Sequence, residues 1–439
     1  MNLPIIALFL GVLLVCMFAG AYIGVAMGVT GLILIYLKDP LLAQGIGRAL
    51  WNTANCYEII AAPLFIFMGE LILQSSLISR LYRGVTVFLR DVPGRLVSSN
   101  IVVCAFFSAI TGSSMACAAT VGTVAIPEML DKRKYDRRFT FGSLASGGTL
   151  GILIPPSVPL IIYGAYTGSS VGRLFIAGII PGITLALLFL AYIMIRALLQ
   201  PNLVPAVTEA EAVKRNVRTV ASSLLDILPT VLMISWVFSA IYLGISTPVE
   251  AAGVAASGAI VLVVAYRRFR WTVLKKAAEG TIITTTMILF LYVNAQLLTY
   301  GMSVWRIPEM MTLWITSVVQ GVYPTVALLV GVFLVLGCFI DPLPMMLLTL
   351  PVTFPLITSL GLDPIWFGIM NVIFMELCAI TPPVGINLFV IHGVAGADKY
   401  SLNDVLFGSL PYVLLMLILA LIVVAFPPVS LWLPSKMMG

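Results

Sequence analysis

The sequence predicts an all-α, polytopic membrane protein. Of the 439 residues, 61% are hydrophobic and only 10% are charged, whereas a soluble domain has about 25% charged residues. The apolar segments continue for about twenty residues, the length of a helix that crosses a bilayer, instead of alternating like the strands of a membrane barrel. Short charged stretches separate them, as in multi-pass proteins. A soluble enzyme, a nucleic-acid-binding protein and a disordered chain are therefore excluded.

Ten apolar segments are predicted to be membrane helices, at 3–20, 22–37, 56–78, 140–168, 172–198, 225–245, 248–266, 280–300, 364–397 and 404–433. Two further apolar stretches, 96–130 and 322–360, are rich in Gly, Pro, Ser and Thr. The first has 35 residues, fewer than the ~40 residues plus a turn that two full spans need. Each stretch is therefore predicted to be a re-entrant helical hairpin, with its tip against protein or a water-filled cavity.

The basic residues predict how the chain is oriented. Nineteen of the 24 Lys and Arg residues lie in loops or flanking stretches that one threading places together on the cytoplasmic side. Both chain termini and both ends of 322–360 are then outside, whereas both ends of 96–130 are cytoplasmic. The two hairpins thus enter from opposite faces. Because the loops account for the basic residues, the net charge of +6 does not indicate a nucleic-acid partner.

The two halves of the chain resemble each other. The pairs Pro155-Pro156 and Pro382-Pro383 are 227 residues apart, and each follows its own hairpin. Opposite entry of the hairpins predicts an inverted repeat, and paired Pro-interrupted spans point to a transporter's central site. The predicted division is a scaffold part at 1–95, a transport half at 96–199 with broken helix 140–168, a cytoplasmic linker at 200–224, a second scaffold part at 225–321, and a second transport half at 322–439 with broken helix 364–397.

Each Pro-Pro pair is predicted to break its helix, because proline lacks an amide donor and clashes with the preceding turn. The break frees carbonyl groups that can bind Na⁺ together with hydroxyl groups, and it leaves a helix N-terminus that suits an anion. The first hairpin turns at 111–114, and the second contains Asp341. Alternatives stay open: the breaks are simple kinks, Asp341 caps its turn near the surface, or Asn387 satisfies freed backbone groups rather than binding a ligand.

Other ionisable residues are assigned structural roles. Glu128 is expected to pair with the adjacent basic run, Glu250 to cap a helix, and Glu70 to fix a helix contact, while Glu376 is intramembrane without an assigned role. His392, the only histidine, is expected to be packed and hydrogen-bonded. All six cysteines lie in apolar segments without C-x-x-C spacing, which indicates apolar filling. No enzyme signature or Walker A loop is present, so energised uptake would require an ion gradient or a partner.

Several motifs resemble those of the large membrane subunit of tripartite ATP-independent periplasmic (TRAP) transporters. They are Thr111–Ser114, Ile126–Met129, Gly151–Ser157, Leu174–Gly182, Thr247–Ala252 and Thr381–Phe389. The likeness covers essentially the whole chain, and the block 111–182 is the most specific part. It implies an elevator-type, ion-transporter-like fold in the bacterial inner membrane.

The resemblance also implies an activity and partners. It implies Na⁺-coupled uptake of an organic acid, such as a C4-dicarboxylate or a sialic acid, which a periplasmic substrate-binding protein delivers. A small four-helix membrane subunit completes such permeases. Because the chain begins directly with the first span of the large subunit, we expect the small subunit to be a separate chain.

The same resemblance implies ligands for two Na⁺ ions and a substrate. The first ion takes carbonyl and hydroxyl groups around Ser113, Ser114, Gly148, Thr149 and Pro155. The second takes groups of Asp341, Thr381, Pro383 and Gly385. The substrate lies between the hairpin tips, near Ser157 and Asn387.

Two other classes of function are weighed against this one. A stand-alone Na⁺-driven divalent-anion transporter has a similar plan of inverted hairpins but works without a binding protein. A channel needs no alternating access, and a membrane-embedded enzyme needs catalytic residues that the sequence does not offer.

Overall fold

The computed structural model describes residues 3–75, 77–205, 217–382 and 385–437, and its regular elements there are helices. The first ten α-helices are α1 (Leu3–Phe18), α2 (Ile23–Lys38), α3 (Gln44–Ala54), α4 (Ala61–Gln74), α5 (Ile78–Phe88), α6 (Leu96–Thr111), α7 (Ser114–Ile126), α8 (Arg137–Leu153), α9 (Val158–Thr167) and α10 (Val171–Leu199). The next ten are α11 (Val217–Tyr242), α12 (Pro248–Ala265), α13 (Trp271–Val304), α14 (Ile307–Val318), α15 (Val322–Gly337), α16 (Pro342–Ser359), α17 (Pro364–Ala379), α18 (Ile386–Ala395), α19 (Leu402–Ala425) and α20 (Pro428–Ser435).

The all-α, polytopic membrane fold is confirmed. In the part of the chain that the structure describes, eight helical units are long and apolar enough to cross a membrane, or nine if α14 and α15 form one bent span. Helices α1 and α2, both predicted to be spans, have 16 residues each, fewer than the ~20 residues of a typical span. The inverted relation of the two halves and the division into scaffold and transport parts stay predictions.

Two elements differ from the sequence-based expectation. Helix α14 was not predicted; it buries Ile307 and Ile315, exposes Leu313 and Trp314, and makes an angle of 119° with α15. Its two-faced pattern follows from packing its buried side against α16. Helix α13 is longer than the predicted span 280–300, because it begins at Trp271 and continues for 34 residues, about 50 Å.

The first hairpin consists of α6 and α7, which contact each other and α8. Helix α6 ends at Thr111, and Gly112 follows in the left-handed conformation with φ +58°. Glycine adopts this conformation without the steric cost of a Cβ atom. Ser113 then caps α7, since its hydroxyl oxygen accepts a hydrogen bond from the Ala116 amide at 3.4 Å. The chain therefore reverses over two residues, within the predicted turn.

The first Pro-Pro pair separates α8 from α9. Helix α8 ends at Leu153, the Pro155–Pro156 bond is cis, and Ser157 caps α9 by accepting from the Leu160 amide at 3.4 Å. Nearly all of the α8–α9 unit is buried. The two prolines, which would be costly inside a helix, thus lie between α8 and α9.

The second hairpin and the second break follow the same local logic. Helices α15 and α16 are joined by residues 338–341, with Asp341 just before α16 and Pro342 as its first residue. Helix α17 ends at Ala379, and α18 begins after Gly385, which has φ +30°. Proline is favoured at the first position of a helix because it needs no amide partner there.

The helices form two groups that meet along one boundary. Helices α2, α3, α4, α12 and α13 pack on one another, and α6, α7, α8, α18 and α19 form the second group, which α10 and α17 join. Some helices cross closely at glycines. A Cβ atom on Gly301 of α13 would lie 2.6 Å from the Gly31 oxygen of α2, and one on Gly142 of α8 would lie 2.1 Å from the Gly408 oxygen of α19. Small residues allow such close approach between membrane helices.

Candidate functional site

One cavity of about 190 Å³ lies between the two helix groups and touches both hairpins. Residues 111–116 of the first hairpin and 341–344 of the second contribute to its wall. Ile152 and Val158 border it from the first broken helix, and Ala379 and Ile386 from the second. The opposite wall comes from α4 and α13, with Tyr22 just before α2. The predicted tips and breaks are thus brought together at one place.

Four helix N-termini converge on this cavity. The first residues of α7, α9, α16 and α18 all line it; they are Ser114, Val158, Pro342 and Ile386. The helix dipole makes each N-terminus favourable for negative charge. The starts of α7 and α18 also carry backbone amide groups, whereas Pro342 and Pro344 of α16 and Pro159 of α9 have none. The C-terminal residues of α6 and α17, Thr111 and Ala379, line the same cavity, and helix C-termini offer carbonyl oxygens that favour cations. The cavity wall can therefore accommodate an anion and cations side by side.

The side chains in the cavity wall carry negative charge. The charged residues in it are Glu70 and Asp341, and the described lining contains no Lys, Arg or His. Glu70 lies over Gly280 of α13, where a Cβ atom would be 2.8 Å from the Glu70 Cδ atom. This contact between α4 and α13 agrees with the structural role expected for Glu70. Asp341 is exposed, and its carboxylate makes no capping hydrogen bond, so it faces the cavity rather than closing its own turn.

The tip of the first hairpin is tightly fitted against the first break. A Cβ atom on Gly112 would lie 2.7 Å from the Pro156 oxygen, and one on Gly151 would lie 2.8 Å from the Ser113 oxygen. A Cβ atom on Gly148 would be 3.0 Å from the Ser114 oxygen. Ser113, Ser114 and Gly148 of the first predicted Na⁺ site are therefore neighbours.

The other predicted members of this region make different contacts. The Thr149 hydroxyl donates to the Ser146 oxygen at 2.6 Å, and Pro155 packs near Gly178 of α10. Ser157 is fully buried as the cap of α9. The roles of these residues in binding Na⁺ or substrate stay predictions.

The second predicted Na⁺ site is only partly described. The Thr381 hydroxyl donates to the Leu377 oxygen at 2.5 Å, and a Cβ atom on Gly385 would lie 3.1 Å from the Thr381 oxygen. The two ends of the break are thus close together. Pro383, also predicted as a ligand, lies outside the described residues. Its role and those of Asp341, Thr381 and Gly385 stay predictions.

A buried polar network joins the first hairpin to both parts of the second broken helix. The Asn387 amide nitrogen donates to the Ser114 hydroxyl at 2.7 Å and to the Ala145 oxygen at 3.3 Å. The Ser114 hydroxyl donates to Glu376 Oε2 at 3.1 Å. Glu376 and Asn387 are fully buried, and neither lines the cavity. The sequence assigns Glu376 no role, although a carboxyl group six residues before the second Pro-Pro pair carries the signal of a costly intramembrane charge.

Ionisable groups away from the cavity have the structural partners that the sequence predicts. Glu128 forms ion pairs with Lys132 and Arg133, each at 2.9 Å. Glu250 completes a capping box at the start of α12, and the His392 ring contacts a backbone oxygen at 2.8 Å. All six cysteines are free.

One exposed ion pair joins the segment after α7 to the loop between α18 and α19. Lys399, in the loop before α19, donates to Asp131 Oδ1 at 2.5 Å. This hydrogen bond holds the pKa of the Asp131 carboxyl below its usual range. Among the described residues, no three His, Cys, Asp or Glu side chains converge as in a transition-metal site.

Comparison with known proteins places the chain near one group of transporters. The family model described as "Tripartite ATP-independent periplasmic transporter, DctM component" matches residues 10–429. The C4-dicarboxylate TRAP transporter large permease protein DctM of Pseudomonas aeruginosa is 35% identical, over 93% of this chain and 94% of that protein. The sialic acid TRAP transporter large permease protein SiaM of Vibrio cholerae is 27% identical, over 96% and 97%. The isethionate TRAP transporter permease protein DctMQ of Oleidesulfovibrio alaskensis is 28% identical, over 94% of this chain and 64% of that protein.

Two solved transporters share the fold at low sequence identity. The MtrF structure from Neisseria gonorrhoeae has a TM-score of 0.61 and 14% identity, covering 89% of this chain and 83% of MtrF. The YdaH transporter of Alcanivorax borkumensis has a TM-score of 0.57 and 15% identity, covering 90% and 88%.

Proposed function

The chain belongs to the DctM component family of tripartite ATP-independent periplasmic transporters, and on this premise we propose that it imports an organic acid in symport with Na⁺. Proteins of this family are multi-pass bacterial membrane transporters and not enzymes. The relatives named for C4-dicarboxylates and sialic acid support an organic acid as the substrate. The proposal also includes Na⁺ coupling, an elevator mechanism and the ligands assigned above.

The observation that carries the proposal is the convergence of four helix N-termini on the cavity. A carboxylate substrate needs positive potential, and the described lining supplies no basic side chain. The helix dipoles at the starts of α7, α9, α16 and α18 supply that potential instead, together with the amide groups of those first-turn residues that are not proline. An anion bound there would contact both hairpin tips and both breaks at once.

Negative charge in the cavity wall supports Na⁺ coupling. Glu70 and Asp341 would repel an incoming organic acid. A cation held near Asp341, or by carbonyl groups freed at the breaks, reduces this repulsion before the anion enters. Na⁺ and substrate would therefore bind more tightly together than separately, which is the thermodynamic requirement of a symporter.

The position of the cavity supports an elevator mechanism. Its substrate-facing wall belongs to the hairpins and broken helices, and its opposite wall belongs to α4 and α13. Movement of the first wall along the second would carry the bound ligands without dismantling their site. The glycine crossings inside each group favour motion between rigid groups over motion within them.

Two protein partners complete the proposal. TRAP permeases act with a periplasmic binding protein and a small membrane subunit, and we propose both for this chain. We propose that the small subunit is a separate chain. The relative named DctMQ is longer than this chain, since the matched region covers only 64% of it.

Uptake into proteoliposomes tests this function. The chain and its small subunit would be reconstituted, and uptake of labelled succinate, sialic acid and isethionate measured with and without an inward Na⁺ gradient and the binding protein. Accumulation of one acid only when both are present is the expected result. Accumulation with Na⁺ alone would assign the chain to the stand-alone carriers, and accumulation without a gradient would refute Na⁺ coupling.

A further inference from the structure

A second polar site adjoins the cavity at the first hairpin tip. It is made by Ser114 at the start of α7, Glu376 on α17 and Asn387 on α18. All three side chains are at least nine-tenths buried, with 4%, 0% and 0% exposure. The site therefore joins the start of the second arm of the first hairpin to the two helices on either side of the second Pro-Pro break.

Two oxygen atoms in this site have no hydrogen-bond partner. Glu376 Oε2 accepts from Ser114, but Glu376 Oε1 is buried and unpartnered. Asn387 uses its nitrogen for Ser114 and for the Ala145 oxygen, which leaves Asn387 Oδ1 buried and unpartnered as well. Both free oxygens belong to side chains that hydrogen-bond to the same Ser114 hydroxyl.

An ionised Glu376 would also lack a counter-ion. None of the ion pairs among the described residues includes it. A buried carboxylate is stable only if a positive partner or several hydrogen bonds replace its lost hydration. One hydrogen bond from Ser114 does not meet that need.

We propose that Glu376 Oε1 and Asn387 Oδ1 are ligands of a buried Na⁺ ion. Carboxylate, amide and hydroxyl oxygens are hard ligands that suit Na⁺ rather than soft metals. One carboxylate balances one monovalent charge, whereas a divalent ion would remain half-neutralised. In this arrangement Asn387 is an ion ligand rather than a substrate ligand.

The location gives this ion a role in coupling. Ser114 lines the cavity and at the same time donates to Glu376. An ion at Glu376 would fix Ser114, and with it the N-terminus of α7 that faces the substrate. The inference deepens the proposed function and rests on its Na⁺ coupling.

Equilibrium binding of ²²Na⁺ to the purified permease tests the site. Glu376→Gln keeps the size of the side chain and an oxygen for Ser114 but removes the charge. We expect this variant to bind one Na⁺ fewer per permease than the wild type. Glu279→Gln, an exposed position on α13, is the matched control and should bind the wild-type number.

The outcomes separate this inference from the proposal beneath it. If the wild type binds no Na⁺, the Na⁺ coupling itself fails. If the wild type binds Na⁺ and Glu376→Gln binds the same number with the same affinity, only the Glu376 site is refuted. Loss of pH dependence of uptake with an unchanged Na⁺ count would make Glu376 a proton carrier and also overturn the inference.

A second variant covers the case in which Glu376→Gln does not fold. Asn387→Ala removes one proposed ligand and leaves the carboxylate in place. We expect it to weaken the affinity for one Na⁺ by about tenfold or more. The loss of a residue that only orients a metal ligand already has an effect of this size. An unchanged Na⁺ affinity in Asn387→Ala would refute the site without any use of the first variant.

Discussion

Gly112→Ala is expected to weaken Na⁺ binding by disturbing the fit between the first hairpin tip and the first break. The new methyl carbon would lie 2.7 Å from the Pro156 oxygen, whereas ordinary contacts begin at 3.4 Å. The tip must therefore move by about 0.7 Å, the difference of these two distances. Overpacking of this kind costs about 1–3 kcal/mol. If the tip relieves it by leaving the break, Na⁺ affinity falls by about 5- to 150-fold.

The chain offers a matched control for backbone strain. Gly168, which follows α9, has φ +70°, close to the +58° of Gly112, but a Cβ atom there has nothing within 4 Å. Both Ala variants bear the left-handed strain of about 1–2 kcal/mol, and only one creates the clash.

The assay for both variants is ²²Na⁺ binding to the purified permease, together with its melting temperature. Both variants are expected to melt at a lower temperature than the wild type, Gly112→Ala by more because it also carries the clash, and Na⁺ affinity is expected to fall in Gly112→Ala alone. Equal Na⁺ affinities in the two variants would refute the reasoning, because the contact between tip and break would then have no bearing on the ion site.

Three further predictions concern ligands, packing and charge. Ser114→Ala and Thr381→Ala each remove a hydroxyl group, so the Na⁺ activation of uptake should shift to higher concentrations while membrane insertion stays normal; unchanged activation in both would contradict the assigned sites. Gly142→Ala places a methyl carbon 2.1 Å from a backbone oxygen of α19, so the melting temperature of this variant should fall. In the control Gly258→Ala the new carbon has nothing within 4 Å, so the free energy of unfolding should rise by up to about 1 kcal/mol. Equal melting temperatures of the two variants would argue against the crossing. Because its lysine partner lowers the pKa of Asp131, the pair stabilises the fold above the ordinary aspartate value of about 3.9 and loses this effect as the pH falls through the lower folded-state value. Melting curves of wild type and Asp131→Asn should therefore differ at pH 7 and converge in acid; a difference that persists in acid would exclude the ion pair as its cause.

The chain breaks could be predicted from the sequence because their causes are local. A glycine between two apolar arms at position 112 and the two prolines at 155–156 restrict the backbone whatever surrounds them. The capping role of Glu250 follows from residue type and helix position in the same way.

Features that depend on tertiary packing could not be predicted in this way. The Ser114–Glu376 hydrogen bond joins residues 262 positions apart, and no spacing in the sequence announces it. The convergence of four helix N-termini requires that both hairpins and both breaks meet in space. Helix α14 was missed because its stretch mixes exposed and buried apolar residues with Arg306 and Glu309, so it lacks the continuous apolar run of a span.

The absence of basic side chains from the described cavity wall changes how substrate recognition is understood. An organic acid held by helix N-termini is bound through the helix dipoles and backbone groups, which the exchange of one side chain for another leaves in place. Specificity among carboxylates would then depend on the apolar wall of the cavity and on the binding protein. Under the proposed Na⁺ coupling, a cation beside Glu70 and Asp341 would be part of the binding site rather than a separate energy source.

Cross-linking across the cavity tests most directly whether the hairpin side moves against the α13 side during transport. Met115, on the first hairpin, and Met287, on α13, line opposite walls. Both would be replaced by cysteine in a chain whose six native cysteines are substituted, and each single variant would serve as a control. Uptake of the acid that the uncross-linked permease carries should stop on cross-linking and return when the bond is reduced. Full uptake by the cross-linked protein would contradict the account, because the two walls could not then slide past each other.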